Sequence, residues 1–197
     1  MADDVKNVLY LYIKSVSPDI SDFEILNLLK ELNPVSYKKD SVIVQQGKVA
    51  FNCYFILKGC LRMFYIDADG NEYTSGFFIE NESLAILDSY RFNKPSFYSI
   101  ECVEDCILIE GSVSNEEKMK KTNSVLSQII QRGLEEELGK NQTEQALFRS
   151  LTPEKRYVEF LNRRPGLAAR VPQYQLASYL GMKPESLSRI KHRLHFS

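Results

Sequence analysis

Apolar residues recur at three- and four-residue intervals between positions 5 and 32, which is the period of an amphipathic helix. Within this stretch Ser21 is followed three residues later by Glu24. That pair matches a capping box, in which each side chain accepts a hydrogen bond from the backbone amide of the other residue. The pattern therefore predicts helix over residues 5–32, with a second helix beginning after Ser21.

From Val35 the pattern changes to short runs of β-branched and aromatic residues separated by turn signals. Lys58-Gly59 and Asp69-Gly70 each lie between two apolar runs, as hairpin turns do. The spacing predicts an antiparallel sandwich or roll, interrupted by Glu80–Lys94, which has room for a short helix. The predicted strands are Ser41–Gln45, Cys53–Leu57, Leu61–Ile66, Tyr73–Phe78, Tyr98–Cys102 and Cys106–Glu110.

Residues 115–149 contain no proline and are rich in Glu, Lys, Gln and Leu. An apolar stripe repeats every four residues and predicts one long amphipathic helix. Its apolar face could pack on the chain's own sheet or on the same helix of a second chain. The stripe consists of Leu126, Ile130, Leu134 and Leu138.

A further helix is predicted over Pro153–Asn162, because Thr152 is a good N-cap and proline is favoured at the first helical position. The next apolar pattern predicts a helix from about Gln173 to Leu180, followed by Gly181, which permits a left-handed turn. The buried side of that helix is formed by Leu176, Ala177 and Leu180.

Pro184 fits the first turn of a last helix, whose predicted buried stripe is Leu187, Ile190 and Leu194. The opposite side is polar and mostly basic, as a recognition helix in the major groove requires. Arg189 could donate to guanine and Glu185 could accept from cytosine; an ordinary helix pair with a solvated polar face is the alternative. The predicted DNA-binding residues are Gln173, Tyr174, Lys183, Glu185, Ser186, Ser188, Arg189, Lys191, His192 and Arg193.

Charge is distributed unevenly although the whole chain carries a net charge of only −1. Residues 151–197 hold nine Lys/Arg and three acidic residues, whereas residues 1–150 are strongly acidic. A basic module beside an acidic one slightly favours a nucleic-acid partner. The four cysteines form no CxxC pair and are expected to be buried in a reducing cytosol.

The motif Leu176-Ala177…Leu180-Gly181…Glu185-Ser186-Leu187-Ser188-Arg189 resembles the recognition motif of the Crp/Fnr family of bacterial regulators. Val42–Gly47 resembles the strand and turn that open the family's β-roll, and Tyr54–Arg62 resembles its central hairpin. The form of residues 183–189 is similar to Bacteroidetes members. The resemblance implies a cyclic-nucleotide-binding-like roll, a dimerisation helix, and Glu185 and Arg189 as base readers.

Three departures limit what the resemblance implies. Pro184 stands where many members carry another base-reading arginine, which leaves the target sequence open. No strands follow Leu194, so a wing is expected to lie earlier or to be minimal. The roll lacks both the Gly-Glu-Leu element and the phosphate-binding arginine, so it is not expected to bind cAMP. The expected effector pocket, whose ligand is unknown, includes Phe78, Glu80, Arg91, Lys94 and Ser96.

The sequence therefore predicts an α+β protein with an antiparallel β-roll and flanking helices (1–114), a long dimerisation helix (115–150) and a helix-turn-helix domain (151–197). A homodimer is favoured because operators usually present two half-sites. The expected partners are double-stranded DNA, an unknown small-molecule effector and RNA polymerase, with no cofactor or metal. The N-terminus lacks an apolar signal segment, which favours a cytoplasmic location.

Two other classes of function stay open at this point. In one, the roll is a sensor or scaffold and the C-terminal domain contacts a protein. In the other, the roll is a cupin-like metal enzyme, which the sequence disfavours because neither histidine, His192 nor His195, lies in the roll.

Overall fold

The computed structural model describes residues 2–112 and 150–195, together with seven positions between them (135, 138, 139, 142, 143, 146 and 148). Two helices come first, α1 (Ala2–Val16) and α2 (Asp22–Glu31). The predicted capping box is confirmed: the Glu24 amide donates to the Ser21 hydroxyl, and the Ser21 amide donates to the Glu24 carboxylate at 3.1 Å. These two hydrogen bonds fix the start of α2.

Eight strands follow and form two four-stranded antiparallel sheets, which confirms the predicted α+β jelly-roll class. The first sheet has the order β1-β8-β3-β6 and the second has the order β2-β7-β4-β5. The strands are β1 (Pro34–Tyr37), β2 (Val42–Val44), β3 (Asn52–Lys58), β4 (Leu61–Ile66), β5 (Glu72–Phe78), β6 (Ser83–Leu84), β7 (Ser99–Cys102) and β8 (Cys106–Ser112). A short helix, α3 (Leu87–Phe92), interrupts them where the sequence left room for one.

Strand β3 shows why several strands have no polar side. Tyr54 and Ile56 are buried in the core between the two sheets. Leu57 on the opposite face packs with Leu9 and Ile25 of the N-terminal helices. Because both faces of the strand are covered, the alternation of apolar and polar residues that marks a half-exposed strand is lost.

The interpretation of Lys58-Gly59 as a hairpin turn is wrong. Strands β3 and β4 on either side of it belong to different sheets, so this turn is a corner that carries the chain from one sheet to the other. Asp69-Gly70 does join a hydrogen-bonded pair, β4 and β5, as predicted. In the sequence, a hairpin turn and a corner between two sheets look the same, because the sheet to which a strand belongs depends on strands distant in the chain.

The C-terminal part of the described chain is helical. Thr152 caps the first helix as predicted, accepting from the Lys155 amide. A short helix that the sequence pattern did not predict follows it, before the predicted helix pair. The elements are α4 (Pro153–Arg163), α5 (Leu167–Arg170), α6 (Gln173–Tyr179) and α7 (Pro184–His195).

The predicted dimerisation stripe is only partly within reach, because Leu126, Ile130 and Leu134 lie outside the described residues. Leu138 is helical and about half exposed (51%). Among the described residues, no helix is both long enough and apolar enough to cross a membrane.

The corner at Gly59 can be tested against Gly70 as a matched control, since both have a positive φ (103° and 84°). A Cβ on Gly59 would lie 2.6 Å from Cys106 Sγ and 2.8 Å from the Asp105 carbonyl oxygen, whereas a Cβ on Gly70 would meet nothing within 4 Å. We expect Gly70→Ala to lower the free energy of unfolding by about 1 kcal/mol and Gly59→Ala by about 3 kcal/mol. Chemical denaturation measures both, and equal losses would contradict the close approach at the corner.

Candidate nucleic-acid interface

Helices α6 and α7 are joined by a tight turn at Gly181, which has a φ of +65°. The Gly181 amide donates to the Ser178 carbonyl and the Met182 amide donates to the Ala177 carbonyl, both at 3.0 Å. These bonds close the C-terminus of α6, as glycine-ended helices commonly do. The chain is thereby turned so that α7 begins at Pro184.

The two helices are held together by fully buried side chains. Ala177, Leu180 and Leu187 have no exposed surface, and Ile190 is 5% exposed. The absence of a bulky side chain at Ala177 allows α7 to cross closely. The predicted buried stripe fails only at Leu194, which is 39% exposed because the cover provided by α6 does not extend to the last turn of α7.

The remaining side of α7 faces solvent. Glu185, Ser188, Arg189 and His192 are exposed and fall at intervals of three, four and seven residues, so they share one face of the helix. Lys183 and Ser186 are also exposed, and Lys191 is half-buried. Gln173 and Tyr174 are exposed at the start of α6.

Arg193 has a structural partner within the same domain. Its Nη2 lies 2.6 Å from Oε2 of Glu154 in the first turn of α4. Both side chains are more than 40% exposed, so this ion pair contributes little stability. The ion pair nevertheless occupies Arg193, which the sequence pattern predicts to bind DNA.

Arg156 supports the turn from the other side, a role that the sequence did not reveal. Its Nη1 donates to the Leu180 carbonyl at 2.6 Å and its Nε donates to the Leu151 carbonyl at 3.3 Å. The first of these satisfies a carbonyl at the end of α6 that has no partner within the helix. In the sequence Arg156 counts only as one more positive charge, since its acceptor lies 24 residues away.

Helix α6 also covers the open edge of the roll. The Thr74 amide of the edge strand β5 donates to the Ser178 hydroxyl at 2.9 Å, and that hydroxyl donates to the Glu72 carbonyl at 3.3 Å. Phe77 and Cys60 of the roll join one apolar cluster with Leu167, Leu176 and other residues of the C-terminal helices. The roll and the helix pair are therefore packed together and not merely tethered.

Arg62 is the most deeply buried charge near this contact, with 1% of its surface exposed. Its guanidinium donates to the Thr74 hydroxyl and the Glu101 carboxylate, both at 2.8 Å, and pairs with Glu72 at 2.7 Å. Gln175 of α6 donates to the same Glu101 oxygen at 3.0 Å. A buried cation with this many acceptors is fully paired, so Arg62 holds the outer face of the sheet together beneath α6.

The residues of the expected effector pocket do not share one environment. Phe78 is buried in the core of the roll, whereas the Arg91 and Lys94 side chains are exposed. The Ser96 hydroxyl is buried, donates to the Tyr98 carbonyl at 2.6 Å and accepts from the Tyr98 amide at 3.0 Å. Glu80 is directed to the C-terminal helices, where it pairs with Arg170.

The ionisation of Glu80 follows from this contact. Burial raises the pKa of its carboxyl, but hydrogen bonds from Arg170 and from the Gly59 amide outweigh burial and hold the pKa below the ordinary value. A lowered pKa means that the charge is present at neutral pH and is lost only as the pH falls through that lowered value. Glu80 therefore acts as an anion in the contact with Arg170.

None of the four cysteines forms a disulfide; Cys60, Cys102 and Cys106 are buried and Cys53 is partly exposed. Burial raises the pKa of the Cys60 thiol, so it behaves as a small apolar group. Among the described residues, no cluster of three or more His, Cys, Asp or Glu side chains could hold a metal ion.

Comparison with known proteins agrees with this geometry. Residues 34–123 match the family model of the cyclic nucleotide-binding domain. Among solved structures, FixK2 from Bradyrhizobium japonicum is 20% identical with a TM-score of 0.69, over 84% of this chain and 85% of that one. Residues 34–123 are therefore similar to a cyclic nucleotide-binding domain, and the chain has the fold of the Crp/Fnr regulators.

Two further structures share this Crp/Fnr fold. CLP of Xanthomonas campestris, described as a c-di-GMP-responsive global regulator, is 17% identical with a TM-score of 0.68, over 89% of this chain and 92% of that one. The catabolite activator protein of Thermus thermophilus is 19% identical with a TM-score of 0.55, over 91% and 86%. No curated protein matches by sequence, and the resemblance to Bacteroidetes members stays a prediction.

The support that Arg156 gives to the turn can be measured. Arg156→Ala leaves the Leu180 and Leu151 carbonyls without these donors, so we expect the free energy of unfolding of the C-terminal helices to fall by about 1–3 kcal/mol. Lys155→Ala, at the exposed neighbouring position, is the control and should change it by less than about 0.5 kcal/mol. Thermal unfolding followed by circular dichroism tests the pair, and an unchanged Arg156→Ala midpoint would contradict the role of Arg156.

Proposed function

We propose that this protein is a sequence-specific DNA-binding transcription regulator that inserts α7 into the major groove. The observation that carries the proposal is the division of α7 into two sides. Leu187 and Ile190 anchor one side in the domain, while Glu185, Ser188 and Arg189 are exposed on the other. A recognition helix needs both a rigid anchor and free hydrogen-bonding groups.

The exposed face offers hydrogen-bonding groups for base reading and cations for phosphate contacts. Arg189 can donate two hydrogen bonds to guanine and Glu185 can accept from cytosine. Lys183 directly precedes α7 and Lys191 lies in its second half, and both cations can meet the backbone of the duplex. Arg193 is a weaker candidate than its position suggested, because it is paired with Glu154.

We further propose that the protein acts as a homodimer whose long helix, near residues 115–150, joins the roll (1–114) to the DNA-binding domain (151–197). Leu138 supports the pairing, since it is an apolar helical residue left about half exposed in the single chain. Two copies would set two recognition helices about 34 Å apart, one turn of the duplex. An effector of the roll and RNA polymerase are further proposed partners.

We also propose that the roll does not bind cAMP. The segment around α3 carries Asp88 in the first turn of the helix, where a bound phosphate would meet a negative charge. The Ser89 hydroxyl accepts from the Ala50 amide at 2.7 Å and donates to the Lys94 carbonyl at 2.6 Å, so it is already engaged. A cyclic phosphate needs a cation and free donors, and this segment directs neither inward.

Base reading by Arg189 can be tested once a target duplex has been selected from random sequences. Arg189→Ala should weaken binding to that duplex by about 5- to 150-fold, because a bidentate contact to guanine contributes about 1–3 kcal/mol. Arg163→Ala is the control, since Arg163 pairs with Glu159 of its own helix and does not lie on α7. Binding is followed by fluorescence anisotropy, with folding checked by circular dichroism.

The same titrations distinguish the proposal from its rivals. Binding through phosphates should fall steeply as salt is raised, whereas a flat response would favour a C-terminal domain that contacts protein. Full affinity in Arg189→Ala would sink the assignment of α7 as the recognition helix. Stoichiometric iron or zinc in the purified protein would revive the enzyme alternative.

Cyclic-nucleotide binding has its own test. We expect millimolar cAMP or cGMP to leave the thermal unfolding midpoint unchanged, because a ligand that binds only the folded state must raise it. A shift of several degrees in this chain would refute the proposal for the roll.

A further inference from the structure

Arg170, the last residue of α5, is held by two carboxylates of the roll. Its Nη1 and Nη2 donate to the two oxygens of Glu80 at 2.9 and 2.8 Å. Its Nε donates to Oε1 of Glu104 at 3.1 Å, and Nη2 also donates to that oxygen. A guanidinium held on two edges by two carboxylates cannot rotate freely, so its orientation is fixed.

We propose that Arg170, Glu80 and Glu104 are positioning residues that set the orientation of the recognition helix on the roll. This inference rests on the proposed function, because orientation matters only if α7 reads DNA. None of the three lies on α7, so they act through the helices that carry it.

Arg170 lies close in sequence to the start of α6, so its position can determine where that helix begins. Only Val171 and Pro172 separate it from Gln173, the first residue of α6. Val171 is buried, and the ring of Pro172 restricts its φ, here −57°. Fixing Arg170 therefore fixes where α6 begins.

The other end of α6 has its own attachment to the roll. Ser178, in the last turn, accepts from the Thr74 amide and donates to the Glu72 carbonyl. One attachment would leave the helix free to swing, whereas attachments at both ends define its direction. Because α7 is packed rigidly on α6 through Ala177 and Leu187, the direction of α6 sets that of α7.

Glu80, which accepts from Arg170, is itself held in place by other groups of the roll. Glu80 Oε1 accepts from the Gly59 amide at 2.9 Å, which ties it to the corner between the two sheets. Two residues later, Glu82 pairs with Arg164 at 3.2 Å, and Arg164 also donates to the Phe77 carbonyl. The segment between β5 and β6 is therefore the part of the roll through which the orientation of α7 could be changed.

Ion pairs that are about one-third exposed contribute little to the global stability of a protein. The proposal is therefore tested by the coupling between these groups and not by the loss of stability in any one variant. A mutant cycle measures that coupling. It compares the wild-type protein, Arg170→Gln, the paired change Glu80→Gln with Glu104→Gln, and all three changes together. All four are full-length chains.

Exchange of the Thr74 amide reads the attachment directly, because its acceptor is the Ser178 hydroxyl of α6. In the DNA-free protein we expect this amide to exchange about tenfold faster in Arg170→Gln and in the carboxylate variant, with no further gain in the combined variant. The dissociation constant for the selected duplex should rise about tenfold in Arg170→Gln and about tenfold in the carboxylate variant. In the variant with all three changes it should rise by the same factor and no more.

Arg163→Gln is the matched control, since it removes one arginine from the same domain while its partner Glu159 lies in the same helix at 2.6 Å. It should leave Thr74 exchange unchanged. The proposal would be overturned if the effects of Arg170→Gln and of the carboxylate variant were additive, or if Thr74 exchange were unchanged in both. Tighter DNA binding in either variant would also overturn it. If the wild-type protein bound no duplex, the proposed function would fail and the DNA arm with it, while Thr74 exchange would still decide whether Arg170 holds α6.

Discussion

The open edge of β5 is the constraint on which the arrangement of the two halves depends. An edge strand presents backbone amides and carbonyls that need partners, and left bare it invites pairing with another chain. Here the hydroxyl of Ser178 accepts from one backbone group of β5 and donates to another. That contact holds the last turn of α6 against the strand, and the apolar cluster around Phe77 and Leu167 packs beneath the helix.

Charge reinforces this placement. The acidic excess of the first 150 residues and the basic excess of the remainder look, in the sequence, like two separate surfaces. In the folded chain some of these opposite charges pair with each other at the contact between the roll and the C-terminal helices. Arg164 pairs with Glu82, and Arg170 pairs with Glu80 and Glu104. The positive charge that remains for the proposed DNA contact is therefore smaller than the count suggests. On that face it is carried by Lys183 in the turn before α7 and by Arg189 and Lys191 of α7.

Features determined within a few residues could be predicted from the sequence. The capping box at Ser21, the cap at Thr152 and the turn at Gly181 are local, and all three are present. What could not be predicted depends on distant partners. The burial of Arg62 requires acceptors on β5 and β7, and Glu80 meets Arg170 across 90 residues. Strands β1 and β6 are too short and too polar to be recognised without the strands they pair with.

The corner at Gly59 has an evolutionary consequence. On its far side Leu61 enters the interior of the roll, while Cys60 enters the cluster shared with the C-terminal helices. Under the proposed function, side chains within the roll can diversify to suit a new ligand, and those on α7 can diversify to suit a new operator, because the two sets do not touch each other. Cys60 belongs to both halves, and a larger side chain there would force them apart. Substitutions at this corner are thus restricted by two independent selective pressures at once.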